Sequence, residues 1–162
     1  MYRAVLPALV VAGATSAALV PVAAHATAPN FGGVQFASDV FIERFQPAPG
    51  GRTARILERA DQLRPGDRVI FVVNWSGRKD GGFTVTNPLP RTIAFAGATD
   101  ETQEVSVDGG RTWGALEALT VRGRDGRSRP AHAEDVTHLR WRIPSELALA
   151  GNGQMTWRGV VR

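Results

Sequence analysis

Eight residues, Arg68-Val69-Ile70-Phe71-Val72-Val73-Asn74-Trp75, stand directly behind Pro65-Gly66-Asp67. The run is β-branched, aromatic and apolar on both faces, and it is shorter than a buried helix. That pattern describes a central strand covered on both sides. The tripeptide before it is a tight-turn signal. Proline sets φ at the first corner, and glycine supplies a positive φ at the second.

Most other apolar segments repeat with period two and end at turn residues. Residues 40–45 read as a first strand, stopped by Gln46-Pro47-Ala48-Pro49-Gly50-Gly51. Residues 53–63 alternate loosely, and residues 55–60 within them read as a helical turn. Further strands are expected over residues 83–86, 92–96, 103–107 and 119–121. Asp108-Gly109-Gly110 marks a hairpin returning to Thr112-Trp113. Residues 136–143 and 154–161 close the chain as two longer alternating strands. Together these predict about eight short strands in one all-β domain over residues 36–162, arranged as an antiparallel sandwich or a closed barrel.

The N-terminus predicts export. Met1-Tyr2-Arg3 carries one positive charge, an apolar stretch runs over residues 4–24, and Ala24-His25-Ala26 is a small-x-small cleavage site. Ala26-Thr27-Ala28 is a second candidate. Gly13, Thr15, Ser16 and Pro21 make the segment a poor membrane span. Residues 1–26 are therefore expected to be a cleaved signal peptide, residues 27–35 a flexible leader, and the product a protein of the periplasm, the medium or the cell surface, with no integral membrane segment. The chain has no cysteine, which rules out disulfides and lipoprotein processing, so packing and sheet hydrogen bonds must supply its stability.

The succession Leu63-Arg64-Pro65-Gly66-Asp67, the apolar strand to Asn74, Ser76-Gly77, and Thr84-Val85-Thr86-Asn87-Pro88-Leu89-Pro90 resembles the conserved-repeat immunoglobulin-like domains of bacterial envelope and surface proteins. The likeness covers nearly all of the chain beyond the leader. It implies an immunoglobulin-like antiparallel β-sandwich and carries no catalytic residues. Its motifs are turn and core positions, which speak for fold and hardly for function.

Catalytic chemistry finds little support. Ser106-x-Asp108-x-Gly110-x-Thr112-Trp113 resembles the Asp-box hairpin of sialidase propellers, where the aspartate, glycine and aromatic are a structural device. Asp108, Gly110 and Trp113 are therefore expected to build a turn. No serine lies in a G-x-S-x-G elbow. His132 and His138 match no common zinc spacing. Asp100, Glu101 and Glu104 read as a solvated turn, because no EF-type calcium loop is present. Asn74-Trp75-Ser76 is a formal glycosylation sequon, and the four tryptophans read as core and hairpin packing. No cofactor, metal or catalytic set is expected; a hydrolase or metal-dependent enzyme remains the distant alternative.

Arginine dominates the basic residues, eighteen against the single Lys79, yet the formal net charge is only +4 and falls by one if Arg3 leaves with the signal. This modest excess argues against nucleic acid as partner. Alternation places His138, Arg140 and Arg142 on one face of the penultimate strand, and Thr156, Arg158, Val160 and Arg162 on one face of the last. Antiparallel pairing of these consecutive strands would gather Arg140, Arg142, Arg158 and Arg162 into one exposed face. Such a face suits the phosphates or carboxylates of an anionic envelope glycan. Edge charges are common, and the reading favoured over binding is a solvated charged surface that guards against sheet aggregation. The sequence thus points to an exported, non-catalytic module with a structural or interaction role, its partner another envelope protein or an anionic glycan.

Overall fold

The computed structural model describes residues 2–3, 32–99, 102–123 and 125–162. The segment expected to be a signal peptide lies outside these residues except for β1 (Tyr2–Arg3), which pairs with β4 (Gln62–Leu63). The export reading would remove β1, and that short ladder with it.

The protein is an all-β antiparallel sandwich. One sheet has five strands in the order β3-β2-β5-β12-β7: β3 (Arg52–Arg59), β2 (Gln35–Ala48), β5 (Arg68–Ser76), β12 (Asn152–Val161) and β7 (Ile93–Ala98). The facing sheet has three, in the order β6-β11-β8: β6 (Phe83–Pro88), β11 (His138–Ile143) and β8 (Glu104–Ser106). A small ladder joins β9 (Thr120–Arg122) to β10 (Ser128–Pro130). The strands outnumber the eight expected because of the short ladders and β3.

The apolar run after the turn is β5, the middle strand of the larger sheet. Arg64 N–H donates to the Asp67 carboxylate at 2.8 Å, and Asp67 N–H to the Arg64 carbonyl at 3.0 Å, closing the turn. Gly66 N–H then reaches the Val161 carbonyl, tying the turn to the end of β12. From β5, Val69, Phe71, Val73 and Trp75 are buried in the core, and Phe36, Val40 and Ile42 of β2 join them. Leu139, Trp141 and Ile143 of β11 and Val85 of β6 fill it from the facing sheet. Phe83 meets Phe36 and Trp75 edge-on across the gap, with ring centroids 6.3 and 5.3 Å apart. Trp141 and Trp157 are completely buried, and their indole nitrogens have no hydrogen-bond partner among the described residues. Ring volume in the core outweighs a penalty of about 1–3 kcal/mol for each orphaned N–H.

Three expectations need correction. Residues 55–60 are not a helical turn; Arg55–Arg59 belong to β3, which pairs with β2 from Phe41↔Arg59 to Ala48↔Arg52. The local alternation of Ala54, Ile56 and neighbours is satisfied by this hairpin, a pairing that helix propensity does not register. Val34 and Gln35 are not part of a flexible leader: Val34 is only 1% exposed within the core and β2 begins at Gln35, while residues 27–31 lie outside the described residues. The last two long strands do not pair. β11 lies between β6 and β8, whereas β12 lies between β5 and β7.

The segment between β11 and β12 explains the third correction. Pro144 ends β11, and α1 (Ser145–Ala150) follows, stopped by Gly151 in the left-handed region at φ 87°. Six helical residues span about 9 Å at ~1.5 Å each, close to the ~10 Å between stacked sheets. Ala148 of α1 is buried and anchors the crossing. What reads as a hairpin loop is a bridge from one sheet to the other.

Candidate functional site

The face assignments within β11 and β12 hold, but the four arginines are divided. Arg140 and Arg142 project from the outer face of the three-stranded sheet, while Arg158 projects from the outer face of the five-stranded one. Arg162 follows β12 and donates to the Glu134 carbonyl at 2.7 Å. A single surface formed by Arg140, Arg142, Arg158 and Arg162 is therefore not what the fold builds, because the strands carrying them belong to different layers.

Arg140 and Arg142 are also occupied. Glu104 of β8 accepts from Nε of Arg140 at 2.9 Å and from Nε of Arg142 at 3.0 Å, with a second Arg140 nitrogen at 2.7 Å. The Arg140 guanidinium lies 4.3 Å from the ring centre of Trp113. Hydrogen bonding from Arg142, followed by the hydrogen bond and charge of Arg140, holds the Glu104 carboxyl below the usual range despite some burial. The cluster is a closed ion-pair network with one carboxylate already in its fork.

Asp108, Gly110 and Trp113 form the turn after β8. The Asp108 carboxylate accepts the backbone N–H groups of Arg111 at 3.0 Å and Thr112 at 2.9 Å, and the Ser106 hydroxyl at 2.8 Å. Ser106, fully buried, accepts in turn from Gly110 N–H, and the Trp113 indole donates to the Gly110 carbonyl at 2.8 Å. The backbone and side chain of Thr112, then Ser106, depress the Asp108 carboxyl far below its ordinary value. A carboxyl depressed on folding stabilises above its unfolded value of about 3.9 and loses that contribution as pH falls through the folded one. Asp108→Asn is therefore expected to melt below the parent at pH 6, with the gap closing below about pH 4. Thermal melts across this range check it; a gap independent of pH would assign the turn's stability to geometry rather than charge.

His132 and His138 are not brought together as a site. His132 opens a short 3-10 turn over Ala133–Asp135, where its backbone N–H reaches Asp135. His138 lies against Thr137 and edge-on to Trp113, and desolvation lowers its pKa, opposed by the charge of Asp108. Among the described residues no group of three His, Cys, Asp or Glu side chains could hold a metal ion. Asp100 and Glu101 lie outside the described residues, and Glu104 is committed to its arginines.

A second surface was not foreseen. The outer face of the five-stranded sheet holds an open concavity of about 420 Å³, lined by Phe45 and Glu43 of β2, Arg55 of β3, Arg68 of β5 and Arg158 of β12. Arg55 is paired with Glu43. Arg68 and Arg158 are exposed and make no ion pair among the described residues. Phe45 is 53% exposed at the rim, with Leu57 of β3 at 46% beside it. β12 carries a bulge between Arg158 and Gly159, the irregularity that bends a strand and re-aims a side chain. Gly159 permits it, since a Cβ there would press on the Ile93 side chain and lie 3.1 Å from the Ala94 carbonyl oxygen. Alternation along β2 and around Arg68 marks these side chains as outward, but only the β3-β2-β5-β12 order brings them together.

Comparison with family models, curated proteins and solved structures finds no match. The class defined by fold and site is an antiparallel β-sandwich with an open, arginine-lined face.

Proposed function

We propose that the chain is an exported, non-catalytic immunoglobulin-like module that acts in the bacterial envelope by binding a partner. The signal-like N-terminus supports export. The turn and strand motifs from Leu63 to Pro90 support an envelope-type module. The observation that carries a binding role is the concavity on the larger sheet, lined by an exposed Phe45 and by Arg68 and Arg158, which have no counter-ion among the described residues. Exposed Phe45 and Leu57 add apolar surface at its rim.

Three carboxylates of the fold are tuned for structure rather than for proton transfer. Glu104, Asp108 and Asp135 are all shifted below the ordinary range by hydrogen-bonding partners, so they stay ionised far from neutrality. General acid–base groups are tuned the other way, toward the working pH.

The test is expression of the full chain in a bacterial host, fractionation, and mass spectrometry of the product. The expected result is a protein starting at Thr27, or two residues later for the second site, found in periplasm or medium and retained on envelope extract. A cytoplasmic product keeping residues 1–26, or an exported one that envelope material does not retain, would overturn the reading.

A further inference from the structure

We propose that Arg68 and Arg158 form a two-guanidinium subsite for the acid group of a glycan, with Phe45 as the platform for its sugar ring. The proposal rests on the binding reading above and names the ligand class.

The sheet register creates the pair. Arg68 stands opposite Val160, and Arg158 stands opposite Ile70, so the two arginines are diagonal neighbours on one face of adjacent strands. Diagonal positions lie about 7–8 Å apart, a gap that two long side chains close around one carboxylate or phosphate. Guanidinium forks match the oxygen geometry of both groups. Elsewhere this protein satisfies arginines in that way: Glu104 sits between Arg140 and Arg142, and Asp135 accepts two nitrogens of Arg129. At Arg68 and Arg158 the same arrangement stands with no acid of the described residues in it, and Glu43 in the same concavity is taken by Arg55.

The surroundings select a glycan over an acidic peptide. A peptide that binds by strand addition needs a free sheet edge, and an acidic peptide held by the arginines alone would leave Phe45 unused. β5 and β12 have a partner on both sides, so no backbone ladder is open on this face. What the face offers is an aromatic ring and two arginines lining one concavity of about 420 Å³. Small-ligand sites occupy roughly 300–1,000 Å³. A pyranose carrying an acid substituent uses both features at once, its apolar face on Phe45 and its charge between the arginines.

Calorimetry on the exported protein tests this with five probes: a galacturonic acid oligomer, a phosphorylated glycan, neutral dextran of matched length, inorganic phosphate and a polyglutamate peptide. Tight, salt-sensitive binding of the uronate oligomer or the phosphoglycan is expected, and whichever binds identifies the acid group as carboxylate or phosphate. Arg68→Gln and Arg158→Gln should each weaken it about tenfold, in line with the loss of one charge-assisted hydrogen bond at an accessible site. Phe45→Ala should weaken the glycan while leaving inorganic phosphate unaffected. Arg142→Gln, on the opposite layer, should bind as the parent does. Equal binding of dextran, tighter binding of a polyglutamate peptide, no binding of either acidic glycan, or equal losses in Arg142→Gln would each overturn the subsite. If Arg68→Gln and Arg158→Gln keep full retention on envelope extract, the subsite fails while the module reading stands. Absence of retention by the parent removes the module reading itself.

Discussion

Replacing Trp157 with alanine is expected to cost about 3–5 kcal/mol of folding stability, the range for deleting a large core aromatic. Trp157 is completely buried in the middle of β12, between β5 and β7. Its ring lies parallel to that of Phe71, directly across the ladder, with centroids 3.9 Å apart. Alanine would open a cavity against two neighbouring strands at once. A domain of this kind holds about 5–15 kcal/mol in all, so the variant should be close to unfolding at room temperature. Urea denaturation measures the loss directly. Trp157→Phe is the informative companion: it keeps a ring on Phe71 and removes an indole N–H that has no partner among the described residues. Its loss should be less than half that of alanine. A loss below about 1 kcal/mol for the alanine variant would mean that β12 is not the central packing element.

Gly77→Ala should be as damaging, through the backbone. Gly77 has φ +113°, and its N–H donates to the Gly151 carbonyl at 2.8 Å. A Cβ built on it would collide with the Gly33 carbonyl oxygen, and would lie 3.0 Å from the Gly33 carbonyl carbon and 3.2 Å from Val34 Cα. These are backbone atoms and cannot swing aside. Relief requires moving the segment that seats the buried Val34 and starts β2. The unfavourable φ alone costs about 1–3 kcal/mol, and the displaced contacts raise the total to about 3 kcal/mol or more. Gly66→Ala provides the control. Gly66 has φ +90° but nothing within 4 Å of its Cβ position, so only the conformational cost applies there. Equal losses at the two glycines, measured by the same denaturation, would show that close approach at Gly33 is not what holds position 77.

The parts of the fold that could be read in advance are those where the local pattern and the final packing agree. β5 was legible because apolar residues on both faces leave a strand nowhere to go but the middle of a sheet. The Asp108 turn was legible because its bonds run between residues a few positions apart. The faces of β11 and β12 were legible because period two is a property of the strand itself. β3 was missed because Arg55-Ile56-Leu57-Glu58-Arg59 has helix-compatible composition, and only its long pairing with β2 makes it extended. The concavity was missed for a related reason: Glu43, Arg55, Arg68 and Arg158 come from four strands, far apart in the chain.

On its own, the order of residues determined that the chain forms alternating strands, where the tight turns fall, and which side chains of each strand face inward. These properties depend on neighbours within a few positions, through backbone sterics and the two-residue repeat. The tertiary structure alone decided which strands lie side by side. The α1 crossing sends β12 to the larger sheet, which separates Arg158 from Arg140 and Arg142 and sets it diagonally beside Arg68. Sheet order is a competition among long-range pairings, settled by burying Trp157 on Phe71 and Trp141 in the facing layer, and no local stretch of chain carries that information.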